Sequence, residues 1–311
     1  MATVNGVLGP IEAEDLGFTL MHEHILIANW SMRQSFADWV DLEAHAEFAS
    51  GEVRSAQERG VGSIVDLTPI NLGRDVHVMR EVAERAEAQI IAATGFYYYH
   101  EPWQSGWEVD RLVEFLLRDI EVGIQGTDSK AGIIKAATAD EGVTAENKKT
   151  LQIAARLQRA SGVPISTHTT PANRSGLSQQ DVFEAEGVDL GRVVIGHCGD
   201  TDDLDYLEEI LRRGSYIGMD RFGLDMLLPM RKRIVTVSKL CERGWAERMV
   251  LSHDACCHID FFPPGTPMPP QWNFRHICDD VIPALRKEGV SEEHLRAMTV
   301  DNPRRVLTGG A

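Results

Sequence analysis

The chain has 311 residues, 43% hydrophobic and 25% charged, which is enough for a sizeable core and unlike a disordered or fibrous composition. The formal net charge of −16, from 31 Lys and Arg against 47 Asp and Glu, repels nucleic acid and anionic membrane and sets both aside as partners. Met1-Ala-Thr-Val-Asn5 lacks the basic and apolar parts of a signal peptide, and no apolar run approaches the roughly 18 residues of a membrane span; five cysteines without a CxxC pair point to reduced thiols in a cytoplasmic protein.

Taken in chain order, short apolar runs alternate with longer amphipathic ones. The predicted strands are Phe18–His24, Ser63–Thr68, Ile90–Gly95, Gly132–Ala137, Pro164–Thr169, Arg192–His197, Tyr216–Met219 and Met249–Ser252. Predicted helices between them include Asp75–Ala88, Val109–Val122, Ala145–Ser161, Leu204–Arg213 and Met230–Arg243. Buried parallel strands alternating with helices fit either an open doubly wound sheet or a barrel. The eight strands, and the polar residues at their C-terminal ends, favour a single (β/α)8 TIM barrel domain over residues 1–311. Those residues are His24, Asp66, Lys135, His168, His197, Asp220 and Asp254. Near the chain end, Asn302-Pro303 reads as a helix N-cap followed by proline.

In the first strand, His22 and His24 share one face and Glu23 takes the other, because side chains alternate. Two imidazoles so spaced can chelate one ion, or be two satisfied histidines at a strand end. Lys135 has apolar neighbours on both sides. Burial favours its neutral amine, which can take up carbon dioxide to become an anionic carbamate. The alternative is a lysine paired with a buried carboxylate. His168 and His197 each close a strand. Asp254 reads as a metal ligand, a general base or a turn residue, and His253 beside it as a packed histidine.

Jointly, four histidines, one lysine and one aspartate fall at the ends of the first, fourth, fifth, sixth and eighth predicted strands. Imidazole and carboxylate ligands suit zinc first, and also cobalt, manganese or iron. Two such ions lower the pKa of a water and polarise a carbonyl or phosphoryl oxygen. Cys256 and Cys257, being adjacent, are poorly placed to chelate one ion and read as loop packing. The Phe262–Pro270 segment, rich in proline, reads as a semi-rigid rim over the substrate.

From Val7-Leu-Gly-Pro10 to Asp301-Asn-Pro-Arg-Arg305, the chain resembles the phosphotriesterase-like lactonases of the amidohydrolase superfamily. The resemblance is carried by Thr19-Leu-Met-His-Glu-His24, Gly132-Ile-Ile-Lys135, Thr167-His-Thr169, Gly196-His-Cys198, Asp220-Arg-Phe-Gly223 and Leu251-Ser-His-Asp254. It implies a binuclear centre. His22, His24 and Asp254 would hold the more buried ion, His168 and His197 the exposed one, and carboxylated Lys135 would bridge them. It also implies Tyr97 beside the metals, Arg221 steadying the last loop, Asp254 as the proton acceptor, and a homodimer. Asp220 to Asp225 lead directly toward a helix, the short loop of the lactonases. The expected activity is hydrolysis of N-acyl homoserine lactones or other γ- and δ-lactones, hence quorum quenching, with promiscuous action on organophosphate triesters. The alternatives are a dedicated phosphotriesterase and, further off, a non-catalytic metal-binding barrel. Phe261 and Ala255 stand where relatives often carry tryptophan and tyrosine, which bears on acyl-chain preference.

Overall fold

The structure is a computed structural model and describes residues 2–309. Eight parallel strands form a nearly closed (β/α)8 TIM barrel, in the order of the chain. An antiparallel hairpin, β1 (Thr3–Gly6) and β2 (Gly9–Glu12), precedes them. The barrel strands are β3 (Phe18–Glu23), β4 (Val61–Asp66), β5 (Gln89–Gly95), β6 (Ile133–Ala137), β7 (Ile165–His168), β8 (Val193–Ile195), β9 (Tyr216–Met219) and β10 (Met249–Leu251). Each lies within about two residues of its sequence-predicted position.

The outer ring contains α1 (Trp30–Ser35), α2 (Leu42–Gln57), α3 (Val76–Ala86), α4 (Val109–Glu121), α5 (Ala145–Ser161), α6 (Ser175–Ala185), α7 (Leu204–Arg212) and α8 (Met230–Glu242). The C-terminal helices α9 (Ile282–Lys287), α10 (Glu292–Arg296) and α11 (Asn302–Thr308) complete it. No helix among the described residues is long and apolar enough to cross a membrane.

Two hydrophobic layers hold the fold. The larger packs the outward faces of the strands against the helices, with Leu20, Ile64, Ile90, Ile134, Ile165, Ile195 and Ile217 all buried. The smaller fills the barrel, with Met21, Val65, Ile91, Ile133, Val194 and Val250. Val4 and Ile11 of the hairpin and Leu16 join this inner layer, so the hairpin plugs the N-terminal end of the barrel. The Val7 backbone amide donates to the Ile90 carbonyl, and the Asn5 side-chain amide to the Ala131 carbonyl. With that end sealed, the opposite rim is the one open to substrate.

The seam between β3 and β10 is closed mainly beyond the strand ends. The Asp254 amide donates to the His22 carbonyl, the His24 amide to the Ala255 carbonyl, and the Cys257 amide to the His24 carbonyl. Glu23, turned away from the barrel axis as alternation predicts, clamps the same segment. Its carboxylate accepts from the Ser252 hydroxyl at 2.8 Å, the His253 and Ala255 amides at 3.0 and 2.9 Å, and the His253 ring. His253 is therefore packed, as its neighbour position suggests, and its Nε2 accepts from the Ile277 amide.

Asn302 corrects one reading. It is not the N-cap but the first residue of α11, running on from a π-helical turn over Ala297–Asp301. Its buried side chain instead donates to the carbonyls of Ala246 and Met249, tying the last helix to β10.

Candidate metal centre and active site

The rim residues meet where their strands end. At the end of β3, His22 Nε2 lies 3.2 Å from Asp254 Oδ1, and the Nε2 of His24, just past the strand, lies 3.0 Å from the same oxygen. Lys135 on β6 reaches in from the opposite wall, its Nζ 2.9 Å from His22 Nε2. His168, at the end of β7, and His197, just past β8, face each other with Nδ1 and Nε2 2.8 Å apart. His197 Nε2 is 3.8 Å from Asp254 Oδ2, which joins the two groups. All six predicted ligand positions thus converge on one small volume.

The donor set can hold metal. His22, His24 and Asp254 offer ligand atoms all within 4.8 Å of one another. His22, His197 and Asp220 also converge. There, however, Asp220 takes the far nitrogens: Oδ2 lies 2.8 Å from His22 Nδ1, and Oδ1 lies 3.1 Å from His197 Nδ1. Asp220 is a brace that turns both Nε2 atoms inward, the usual outer partner of a liganding histidine. Thr68, 2.8 Å from His24 Nδ1, does the same for His24. The alternation of residue types along the rim could not distinguish Asp220 as brace from Asp220 as ligand.

Electrostatics follow from burial. Desolvation, reinforced by Lys135, pushes the His22 pKa down to about 3, and burial with His197 nearby pushes that of His168 well below the ordinary value. Both rings are neutral at physiological pH, the form that ligates metal. Burial lowers the Lys135 pKa to about 8, against the opposing pull of Asp254 and Asp220. Burial alone would raise the Asp254 carboxyl, but His22, His197, Arg221 and a hydrogen bond from His24 outweigh it and hold it well below the usual range.

Backbone geometry also marks the site. His197 and Asp254 adopt left-handed φ values of 59° and 53°, which cost energy in residues with a Cβ and cluster at functional sites. Gly95, with φ of 113°, lets β5 pass the Lys135 carbonyl where a Cβ would approach to 2.1 Å.

A cavity of about 800 Å³ opens above the centre. Tyr97 stands at its floor, with its hydroxyl 3.4 Å from His168 Nδ1 and its amide donating to Asn71 Oδ1. Burial, with Tyr98 adding to it, raises the Tyr97 phenol well above its ordinary pKa, so it remains a donor. Arg221 Nε donates to Asp254 Oδ2 at 2.9 Å, and its Nη1 donates to Asp200 Oδ2. Arg221 therefore holds Asp254 directly, rather than only steadying a loop. The walls are largely apolar, including Leu224, Met226, Leu227, Phe261, Phe262 and Met268. The proline-rich segment does line the cavity, and so does Cys256. Ala255 is buried away from it, its amide bound to Glu23.

Comparison with known proteins gives the family of the chain. Residues 2–307 match the Phosphotriesterase family. A "Phosphotriesterase homology protein" of Mycobacterium tuberculosis is 45% identical over 99% of this chain and 98% of its own. An "Aryldialkylphosphatase" of Saccharolobus solfataricus is 38% identical over 96% of this chain and 97% of its own. The solved structure of the phosphotriesterase from Mycobacterium tuberculosis superposes with a TM-score of 0.94, at 44% identity, covering 98% of both chains. The chain belongs to the phosphotriesterase family of binuclear metal-dependent hydrolases.

Proposed function

We propose that the enzyme is a lactonase acting on N-acyl homoserine lactones or other γ- and δ-lactones, with slower hydrolysis of organophosphate triesters. The observation that carries this reading is the Tyr97 hydroxyl, buried beside His168 at the floor of a mostly apolar cavity. A neutral cyclic ester offers a fixed ring oxygen to that donor and an apolar tail to the walls.

His22, His24 and Asp254 would hold one ion and His168 and His197 the other, with Lys135 bridging as its carbamate. The amine nitrogen bonds to the carbon of carbon dioxide and releases one proton, leaving a carboxylate on a long stalk. Zinc suits these ligands, as do cobalt, manganese and iron. When bound, the ions supply Lewis acidity and a readily deprotonated water.

The protein's own groups do the rest. Tyr97 donates to the ester and orients it. Asp254 takes a proton from the attacking water as the new carbon–oxygen bond forms. It then returns that proton to the alkoxide as the ring carbon–oxygen bond breaks, giving a hydroxy acid. Arg221 keeps the carboxylate aimed through that cycle.

The second reading, a dedicated phosphotriesterase, is favoured by the relative named aryldialkylphosphatase. The kcat/KM values on an acyl homoserine lactone and on paraoxon, measured with the same metal-loaded protein, decide between them. A higher value on paraoxon would reverse the assignment.

A further inference from the structure

Arg233, in the first turn of α8, is fully buried, although arginine is rarely so. Its guanidinium makes four contacts. Nε donates to the Leu228 carbonyl at 2.8 Å and Nη1 to the Gly199 carbonyl at 2.7 Å. Nη2 donates to the Leu224 carbonyl at 3.2 Å and pairs with Asp200 Oδ1 at 2.9 Å. Gly199 leaves room for the approach: a Cβ there would sit 3.1 Å from Nη1, close enough to crowd the guanidinium.

These contacts reach two parts of the site. Leu224 and Leu228 bracket Met226 and Leu227, and Leu224, Met226 and Leu227 all face the cavity. Met226 and Leu227 are 68% and 47% exposed, so packing does little to hold them. The Leu227 amide donates to the Leu224 carbonyl, and the buried fork beneath holds the carbonyls of Leu224 and Leu228 on either side of them. The second part is the charge row. Asp200 is shared between Arg233 and Arg221, and Arg221 in turn grips Asp254. Two cations and two anions alternate from α8 to the metal centre, so no charge in the row is left unpaired.

We propose that Arg233 is a positioning residue. It seats the wall formed by residues 222–229 against the substrate's tail and, through Asp200 and Arg221, keeps Asp254 in register. The wall is then a fixed surface, and its seat sets the preference for tail-bearing over tail-less esters. Lysine cannot replace this fork, because a point charge with three donors does not span planar partners on two sides.

The inference rests on the lactonase reading only for its choice of substrates. Its test has an arm that needs no turnover. The variants are Arg233→Lys and Gly199→Ala, the latter crowding the guanidinium without removing it. Val237→Ala, a truncation of a fully buried core residue on the same helix, serves as a matched control of lowered stability. Loss of one or two such bonds should speed amide hydrogen exchange in residues 222–229 by about tenfold in Arg233→Lys. It should also lower the ratio of kcat/KM between long-tailed and short-tailed lactones by about fivefold, mainly through KM. Gly199→Ala should move both readouts the same way by less, and Val237→Ala should lower Tm and move neither. If exchange in 222–229 and the tail ratio stay at the wild-type values in Arg233→Lys and Gly199→Ala, Arg233 is only a structural residue and the proposal fails. If wild type turns over no lactone, the functional reading fails, and the exchange arm still decides the role of Arg233.

Discussion

Asp220 Oδ2 lies 2.8 Å from His22 Nδ1 while its Oδ1 lies 3.1 Å from His197 Nδ1, so one carboxylate orients a ligand of each proposed ion. Oδ1 also accepts from the His197 amide at 2.7 Å. Burial alone would raise its pKa, but His197 and His22 outweigh that and keep it ionised. Asp220→Asn should therefore weaken metal binding by about 10- to 100-fold with little change in fold. Titration of apo-protein with zinc, followed by calorimetry, reads this directly. Unchanged affinity at both sites would remove the bracing role.

Lys135 is the test of the bridge. Purified, metal-loaded protein should contain about two ions per chain by elemental analysis. Lys135→Ala should lose metal and activity together, and short carboxylic acids should restore part of both, since acetate supplies the missing anion. A saturated content near one ion per chain, or full activity in Lys135→Ala, would defeat the binuclear reading.

The eight strands and the six rim residues were legible because burial on both faces and period-two alternation leave strong marks. The pairing of His22 with His24, and the outward turn of Glu23, follow from alternation alone. What escaped has physical reasons too. In α2 the buried face is largely Ala46, Ala49, Ser50, Val53 and Ala56, so its apolar period is faint. In α6 the buried residues include Ser175, Gln179 and Gln180, and no hydrophobic stripe exists to be read. The hairpin strands are four residues each, too short for a pattern. Asn71 holds the Tyr97 amide and the Tyr99 carbonyl from a one-turn helix, a contact created only by folding.

Glu23 should matter for stability rather than chemistry. Its carboxylate is fully buried and satisfied by four donors that close the β3–β10 seam. Glu23→Gln puts an amide NH2 against donors and removes the charge facing His253. We expect a loss of about 2–4 kcal/mol. Urea unfolding of the metal-loaded protein checks it. A change under about 0.5 kcal/mol would mean the seam is held by its backbone bonds alone.

Asp254→Asn keeps the shape of the side chain and its hydrogen bond from Arg221, but the amide cannot take up a proton. The kcat on lactones should fall by about 10²–10⁴-fold with the fold intact. Metal content must be measured alongside, because Asp254 is also a proposed ligand. A fall below about tenfold at full metal occupancy would place the proton transfer elsewhere.

Tyr97 offers the sharpest separation of lactonase from phosphotriesterase. Its backbone is held by Asn71, and its ring lies edge-on to His168 at 5.0 Å between centroids. The hydroxyl is 3.4 Å from His168 Nδ1, a long contact that leaves it free to turn toward a bound ester. Burial raises its pKa well above the ordinary phenol value, which favours the protonated, donating form. A lactone presents its ring oxygen at one place, whereas a bulky triester has no equivalent atom there. Removing one hydrogen bond in a desolvated site is worth about 1–3 kcal/mol, or about 5- to 150-fold in rate. Tyr97→Phe should therefore lower kcat/KM for lactones within that range and leave triester hydrolysis nearly unchanged. Tyr98 and Tyr99 surround the same ring, at 4.1 and 5.2 Å between centroids, so packing alone could hold Tyr97 in place. In that case Tyr97→Phe would change neither substrate, because the ring is preserved. Equal losses on both would instead mean that the hydroxyl acts on the metal centre through His168. Either result would take Tyr97 out of ester recognition and weaken the lactonase reading with it.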